Sequence, residues 1–165
     1  MYFLKCFVYL FLCGVAIFLL GRLVPHRWIR EDGFPFGALG FEEDGGFYEH
    51  FGIRHWQKKV PDMSRLFPQL IPKKALDGEM VQKLPILIKE TCIAEMAHVL
   101  LAVAALLCLH IWSGLGGVIV TILFELGNLP YILIQRYNRP RLKKLYRALC
   151  QREQRENEEK QAIEG

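Results

Sequence analysis

The stretch Lys89–Trp112, KETCIAEMAHVLLAVAALLCLHIW, opens on charge, turns almost wholly apolar, and carries Glu95 and His98 where the apolar part begins. At about 1.5 Å of rise per residue, Ile93 to Trp112 is long enough as a helix to cross a hydrocarbon core of roughly 30 Å. A second apolar run, Leu115 to Ile134, follows after SGLGG at most. Two spanning helices with so short a link predict an antiparallel transmembrane hairpin.

Upstream, Tyr2 to Val24 is a further apolar run broken only by Lys5. It reads as an N-terminal transmembrane anchor, with a cleaved signal peptide as the competing reading. A single basic residue in front, a long apolar core, and LLGRLVPHR in place of a small-x-small cleavage site favour the anchor. The expected fold is therefore an all-α integral membrane protein: an anchor helix, a C-terminal two-helix hairpin, and an irregular amphipathic cytoplasmic segment between them. Composition agrees. The 165 residues are a single-domain length, and 52% hydrophobic content with a positive mean hydropathy points to a membrane class. None of the five cysteines falls in a C-x-x-C pair, and Cys6, Cys13 and Cys108 lie in apolar runs. No disulfide framework or zinc site is expected.

Charge sets the orientation. Arg136, Arg139, Arg141, Lys143, Lys144 and Arg147 follow directly on the third apolar run, so that end is expected in the cytoplasm of a multi-pass cell-membrane protein. The N-terminus is then outside, and the chain divides into an anchor (1–24), a cytoplasmic or interfacial segment (25–90), the hairpin with its basic motif (91–149) and a charged tail (150–165). Within 25–90, Phe47, Tyr48, Phe51, Ile53 and Trp56 are too apolar for open water. They suit either a surface-lying piece, with Arg54, Lys58 and Lys59 toward anionic lipid, or a small cap packed over the helices.

Thr91, Glu95 and His98 share one helix face at the i, i+4, i+7 spacing. A carboxylate beside an imidazole can fix which nitrogen bears hydrogen, making His98 a candidate general base oriented by Glu95. The competing reading is a polar helix start that merely bonds to a neighbour. Glu125 and Asn128 are expected as polar glue between helices, with His110 or a carbonyl freed by Pro130 receiving Glu125, and Pro130 is expected to kink the helix near Asn128. The arginines of QRYNRPRL suit phosphate or carboxylate oxygens, or simply anchor the helix end. One E-x-x-H makes no di-iron site, His26 and Glu31 only loosely approximate an H-x-x-x-x-D motif, and no G-x-S-x-G elbow or phosphate-binding glycine loop occurs.

Together, FYEHFGIRHWQKKVPD (47–62), IKETCIAEMAH (88–98) and NLPYILIQRYNRPRL (128–142) resemble the signature stretches of the glycosyl-4,4'-diaponeurosporenoate acyltransferase family. The resemblance runs from about Phe47 to Leu149 and is most specific at QRYNRPRL. It implies a membrane enzyme that moves a fatty acyl group onto the sugar of a glycosylated C30 carotenoid, the last step of staphyloxanthin formation. The motif positions that carry over are Trp56, Glu90, Glu95, His98, Asn128, Gln135, Arg136, Tyr137, Asn138, Arg139 and Arg141. The resemblance carries over positions, not roles; from their own chemistry, His98 and Glu95 are expected to be catalytic, while Arg136, Tyr137, Asn138, Arg139, Arg141, Trp56 and Glu90 are expected to bind substrate. The partners are the bilayer, a glycosylated carotenoid or glycolipid acceptor, and acyl-CoA or acyl carrier protein as donor; no cofactor, metal or nucleic acid is called for. A non-catalytic subunit scaffolding a lipid-modifying or transport complex is the alternative.

Overall fold

In the computed structural model, which describes residues 1–37, 39–42, 46–57 and 79–164, every regular element is helical. These are α1 (Tyr2–Leu23), α2 (Gly46–Glu49), α3 (Ile53–Trp56), α4 (Glu79–Ala105), α5 (Cys108–Ile111) and α6 (Leu115–Glu164), with short 3₁₀ turns at His26–Trp28 and Gly40–Glu42. Among the described residues, three stretches are long and apolar enough to cross a membrane: α1, Met80–Ile111, and the apolar part of α6. Helix α1 leaves Phe3, Phe7, Phe11 and Phe18 exposed and buries only Cys6 and Leu10. A helix apolar all round with one thin buried stripe suits lipid, because its own backbone bonds are closed internally.

Small residues let α1 lie antiparallel along α4. Gly14 faces Leu101, and a Cβ on Gly21 would stand 3.3 Å from the Ile93 side chain. Cys6 and Leu10 pack with Ala105 and Cys108 at the hairpin end. Helix α4 stops there, so its last carbonyls lack helical partners. The Tyr9 hydroxyl donates to the Ala104 carbonyl (3.1 Å), and the Thr121 hydroxyl donates to that of Ala105 (3.3 Å). The turn that follows depends on glycine. Gly114 has φ +93°, and a Cβ on Gly117 would fall 2.0 Å from the Trp112 carbonyl oxygen.

Both hairpin helices are longer than the apolar runs that announce them. Helix α6 has 50 residues and continues through Pro130 and Pro140, giving about 75 Å of helix, more than twice a hydrocarbon core. Helix α4 begins at Glu79, well before the expected start of the hairpin unit. The two extensions stay paired, with Met80 and Leu84 buried against Leu149 and flanked by Leu142, Leu145 and Tyr146. The aromatic segment divides. Tyr48 and Ile53 are buried on Ile134 and Tyr137 with Trp56 beside them, as a packed cap would be. Phe47 and Phe51 stay exposed, their rings 5.4 Å apart, with Phe41 5.0 Å from Phe47. Lys58 and Lys59 lie outside the described residues.

Candidate functional site

The antiparallel pairing of α4 and α6 sets Thr91 and Glu95, one turn apart, against Arg136 and Arg139, also about one turn apart. Arg136 donates through Nε to Glu95 (2.7 Å) and through Nη1 to both oxygens of Glu42 (2.9 Å each). Its Nη2 donates to the Pro35 carbonyl (3.0 Å). Arg139 donates to the other Glu95 oxygen, to the Thr91 hydroxyl (3.0 Å) and carbonyl (3.3 Å), and to the Phe36 carbonyl (2.8 Å), with its guanidinium 5.5 Å from the centre of the Phe36 ring. The result is an alternating ladder, Glu42–Arg136–Glu95–Arg139, of zero net charge. Glu42, Glu95 and Arg139 are each 5% exposed or less. Such charges tolerate burial only when paired and hydrogen-bonded, and no buried polar side-chain atom among the described residues lacks a partner.

Glu42 closes the outer end of the ladder. Burial pushes its carboxyl up, but hydrogen bonds from the Tyr48 hydroxyl, the Leu39 N–H (3.0 Å) and Arg136 outweigh that and hold it below the usual range. Burial, reinforced by the Glu42 carboxylate, raises the Tyr48 phenol, so it stays a proton donor. Neither residue is conspicuous in the sequence. Glu42 stands in an acidic stretch with no periodicity, and only the fold turns it toward Arg136.

One turn toward the apolar side of Glu95, His98 pairs with Asn128. The Asn128 amide donates to the His98 backbone carbonyl (2.8 Å) and presents its oxygen to the ring Nδ1 (2.7 Å), while Tyr131 stacks on the imidazole (ring centres 4.7 Å apart, 11° between planes). Because that amide nitrogen is committed to the carbonyl, Nδ1 must carry the ring hydrogen of a neutral imidazole. The Nε2 lone pair is left free. Glu95 and His98 thus share a face but not a bond: Glu95 serves the arginines, and Asn128 orients the histidine. Asn128 does link the hairpin helices as expected of polar glue, whereas Glu125 is half-buried and His110 exposed.

The remaining sequence-derived positions spread around this seam. Tyr137 is fully buried, its hydroxyl taking bonds from Arg54 (3.4 Å) and Arg141 (2.5 Å), with the Arg141 guanidinium over its ring. Trp56 donates to the Phe51 carbonyl (3.0 Å). Glu90 is exposed and meets His26 at 2.6 Å below the end of α1. Gln135 is buried and Asn138 half-buried on α6.

Beyond the ladder a cleft of about 720 Å³ runs along one stripe of α6: Arg136, Arg139, Pro140, Lys143, Lys144, Arg147, Ala148 and Gln151, walled by Asp32, Phe36 and Glu42. Lys143 bonds to Asp32 (2.7 Å) and to the Glu31 carbonyl (2.9 Å), and that bond lowers the Asp32 carboxyl.

Residues 25–148 match the family model CrtO, described as glycosyl-4,4'-diaponeurosporenoate acyltransferase. A protein of that name from Staphylococcus aureus strain N315 is 29% identical over 151 residues, which cover 91% of each chain. Proteins of the same name from strains MRSA252 and USA300 are 28% identical over the same shares. No solved structure gives a significant match. The matched region takes in the whole ion ladder, the His98–Asn128 pair and the cleft as far as Ala148. Most of the sequence is thus accounted for by one model, and the chain belongs to the CrtO family of glycosyl-4,4'-diaponeurosporenoate acyltransferases.

Proposed function

We propose that the chain esterifies a fatty acyl group onto a sugar hydroxyl of a glycosylated C30 carotenoid or a closely related glycolipid, working at the cytoplasmic face of the cell membrane. The observation that carries this reading is the His98–Asn128 pair. It places an imidazole with a free Nε2 where the apolar part of α4 meets the polar ladder. An acceptor with its polyene in the bilayer and its sugar at the surface brings a hydroxyl to that level. His98 Nε2 takes the hydroxyl proton as the sugar oxygen attacks the thioester carbonyl of the donor. The new C–O bond forms, the C–S bond breaks, and the imidazolium returns its proton to the departing thiolate.

In this mechanism Glu95, Arg136 and Arg139 hold the cap against the hairpin, since their hydrogen-bonding groups are engaged with one another and with backbone carbonyls. Tyr137, fully buried, seats the cap on α6, with Trp56 at its edge. Orientation rests on the six basic residues from Arg136 to Arg147 and on the antiparallel packing of α1, which puts the N-terminus at the opposite, hairpin end.

The test uses purified protein in nanodiscs, with a glycosylated C30 carotenoid and a labelled fatty acyl thioester. The expected product is the sugar ester, and His98→Ala should lower its rate by about 10²–10⁴ while the protein still inserts. Near-wild-type turnover by His98→Ala removes the general-base role. Absence of any ester from wild-type protein across acceptors of this class overturns the acyl-transfer reading.

A further inference from the structure

The α6 cleft holds more positive charge than its neighbours neutralise. Arg136 and Arg139 are balanced by Glu42 and Glu95, and Lys143 by Asp32. Lys144 and Arg147, three residues apart and so neighbours on the helix surface, line the same cleft; Arg147 stands near enough to Asp32 to help lower its carboxyl, but Asp32 is bonded to Lys143, and neither Lys144 nor Arg147 forms an ion pair with a described carboxylate. Five basic side chains against three carboxylates leave a surplus of two positive charges at the far end of the groove.

Distance decides what kind of anion this end meets. Ile134 closes the apolar run of α6, and Lys144 and Arg147 lie about 15 and 20 Å further along the axis. The headgroup layer on each side of a bilayer is only about 5–8 Å deep. A phosphate of the surrounding lipid therefore falls near Arg136, whereas the surplus charge stands out in water. From Arg136 to Gln151 the stripe is about 22 Å long. That suits an extended molecule with its phosphates at the wet end and its reactive end near the bilayer.

We infer that Lys144 and Arg147 bind the diphosphate of a coenzyme A-type thioester, whose pantetheine arm lies along the α6 stripe toward the apolar boundary. This rests on the acyl-transfer reading and names its donor class. The two ammonium and guanidinium groups match the charge of a diphosphate, and the arginine fork can take two of its oxygens at once. With the phosphates there, the pantetheine arm runs up the groove toward Arg136 and the apolar boundary, where the acyl chain can enter hydrocarbon.

The experiment measures binding alone, so that it stands apart from turnover. Wild-type protein in phosphatidylcholine nanodiscs is titrated calorimetrically with desulfo-coenzyme A, which keeps the phosphates and lacks the thiol. Binding that weakens with salt is expected, and Lys144→Gln with Arg147→Gln should weaken it at least about tenfold, equivalent to about 1.4 kcal/mol. A charge-matched control on the tail, Arg155→Gln with Lys160→Gln, should leave it unchanged. Equal weakening by both pairs reduces the effect to bulk charge and overturns the site. So does absence of desulfo-coenzyme A binding when acyl carrier protein binds, or when phosphatidylglycerol vesicles bind in a manner the double variant abolishes. If desulfo-coenzyme A binds as expected and no ester forms in the turnover assay, the acyl-transfer reading fails and the binding site stands.

Discussion

At the scale of single residues, the same side-chain types do different work according to who faces them. Asn128 controls His98 through two hydrogen bonds, one of which dictates the direction of the other. Asn128→Leu keeps the side chain's bulk but removes both bonds, so kcat should fall by up to about 10²-fold with folded yield kept. A purely structural role for Asn128 predicts lower yield with kcat unchanged. Glu95 is expected to behave differently, because two guanidiniums absorb its charge. Glu95→Gln leaves buried cations without their counter-charge and should cost about 3–5 kcal/mol of stability, read as a lowered unfolding midpoint in detergent. Arg139→Lys should be nearly as damaging. One ammonium cannot reproduce donors placed at Thr91, Phe36 and Glu95 together.

At the scale of elements, the hairpin turn and the paired helices outside the apolar zone fix where the site sits. Gly117 has no room for a side chain against the Trp112 carbonyl, and Gly114 occupies positive φ. Gly117→Ala should therefore lower the folded, extractable fraction severely, whereas Gly127→Ala, where a Cβ meets nothing within 4 Å, should be tolerated. Equal recovery of both variants would show that the turn does not limit folding. The apolar contacts of Met80 and Leu84 with Leu149 extend the α4–α6 seam into water. That extension carries the basic stripe of α6 on a helix paired with α4 beyond the apolar run.

At the scale of the whole molecule, the ladder joins Pro35, Phe36 and Glu42 to both hairpin helices, so its ionisation is coupled to the fold. The Glu42 carboxyl is held below the ordinary glutamate value of 4.5 in the folded protein. Its contribution to stability is therefore fully present above about that pH, and it is lost as pH falls through the lower folded value. Thermal unfolding should be insensitive to pH between about 7 and 5 at this group and fall on further acidification; Glu42→Gln should flatten that acid dependence from a lower plateau. The arrangement of helices yields a second test. Ser113→Cys, in the exposed turn, should react with an impermeant maleimide from outside intact cells, and Gln154→Cys, on the exposed tail, only after permeabilisation. The reverse pattern would turn the molecule over and remove the donor cleft from the cytoplasm.

The all-helical, three-span plan was legible in the chain because hydrocarbon imposes a length and a composition on any helix that crosses it, and Tyr2–Val24, Ile93–Trp112 and Leu115–Ile134 meet both. The family was legible too, since NLPYILIQRYNRPRL and IKETCIAEMAH resemble its signature stretches and lie within the matched region. Helix length was not: residues 79–90 and 135–149 lie outside the apolar runs read from the sequence, and their helices extend by packing on each other through Met80, Leu84 and Leu149. Nor were the partners within the site. Periodicity puts Glu95 and His98 on one face, but a shared face does not say which groups across the seam will compete for them. Arg136 and Arg139 outbid the imidazole for Glu95, because a buried carboxylate gains more from two charged forks than from one neutral ring. Glu42 reaches Arg136 across more than ninety residues of chain, and Tyr48, which donates to it, packs on Ile134 and Tyr137 across more than eighty, a closure that local sequence cannot encode and only the tertiary fold decides.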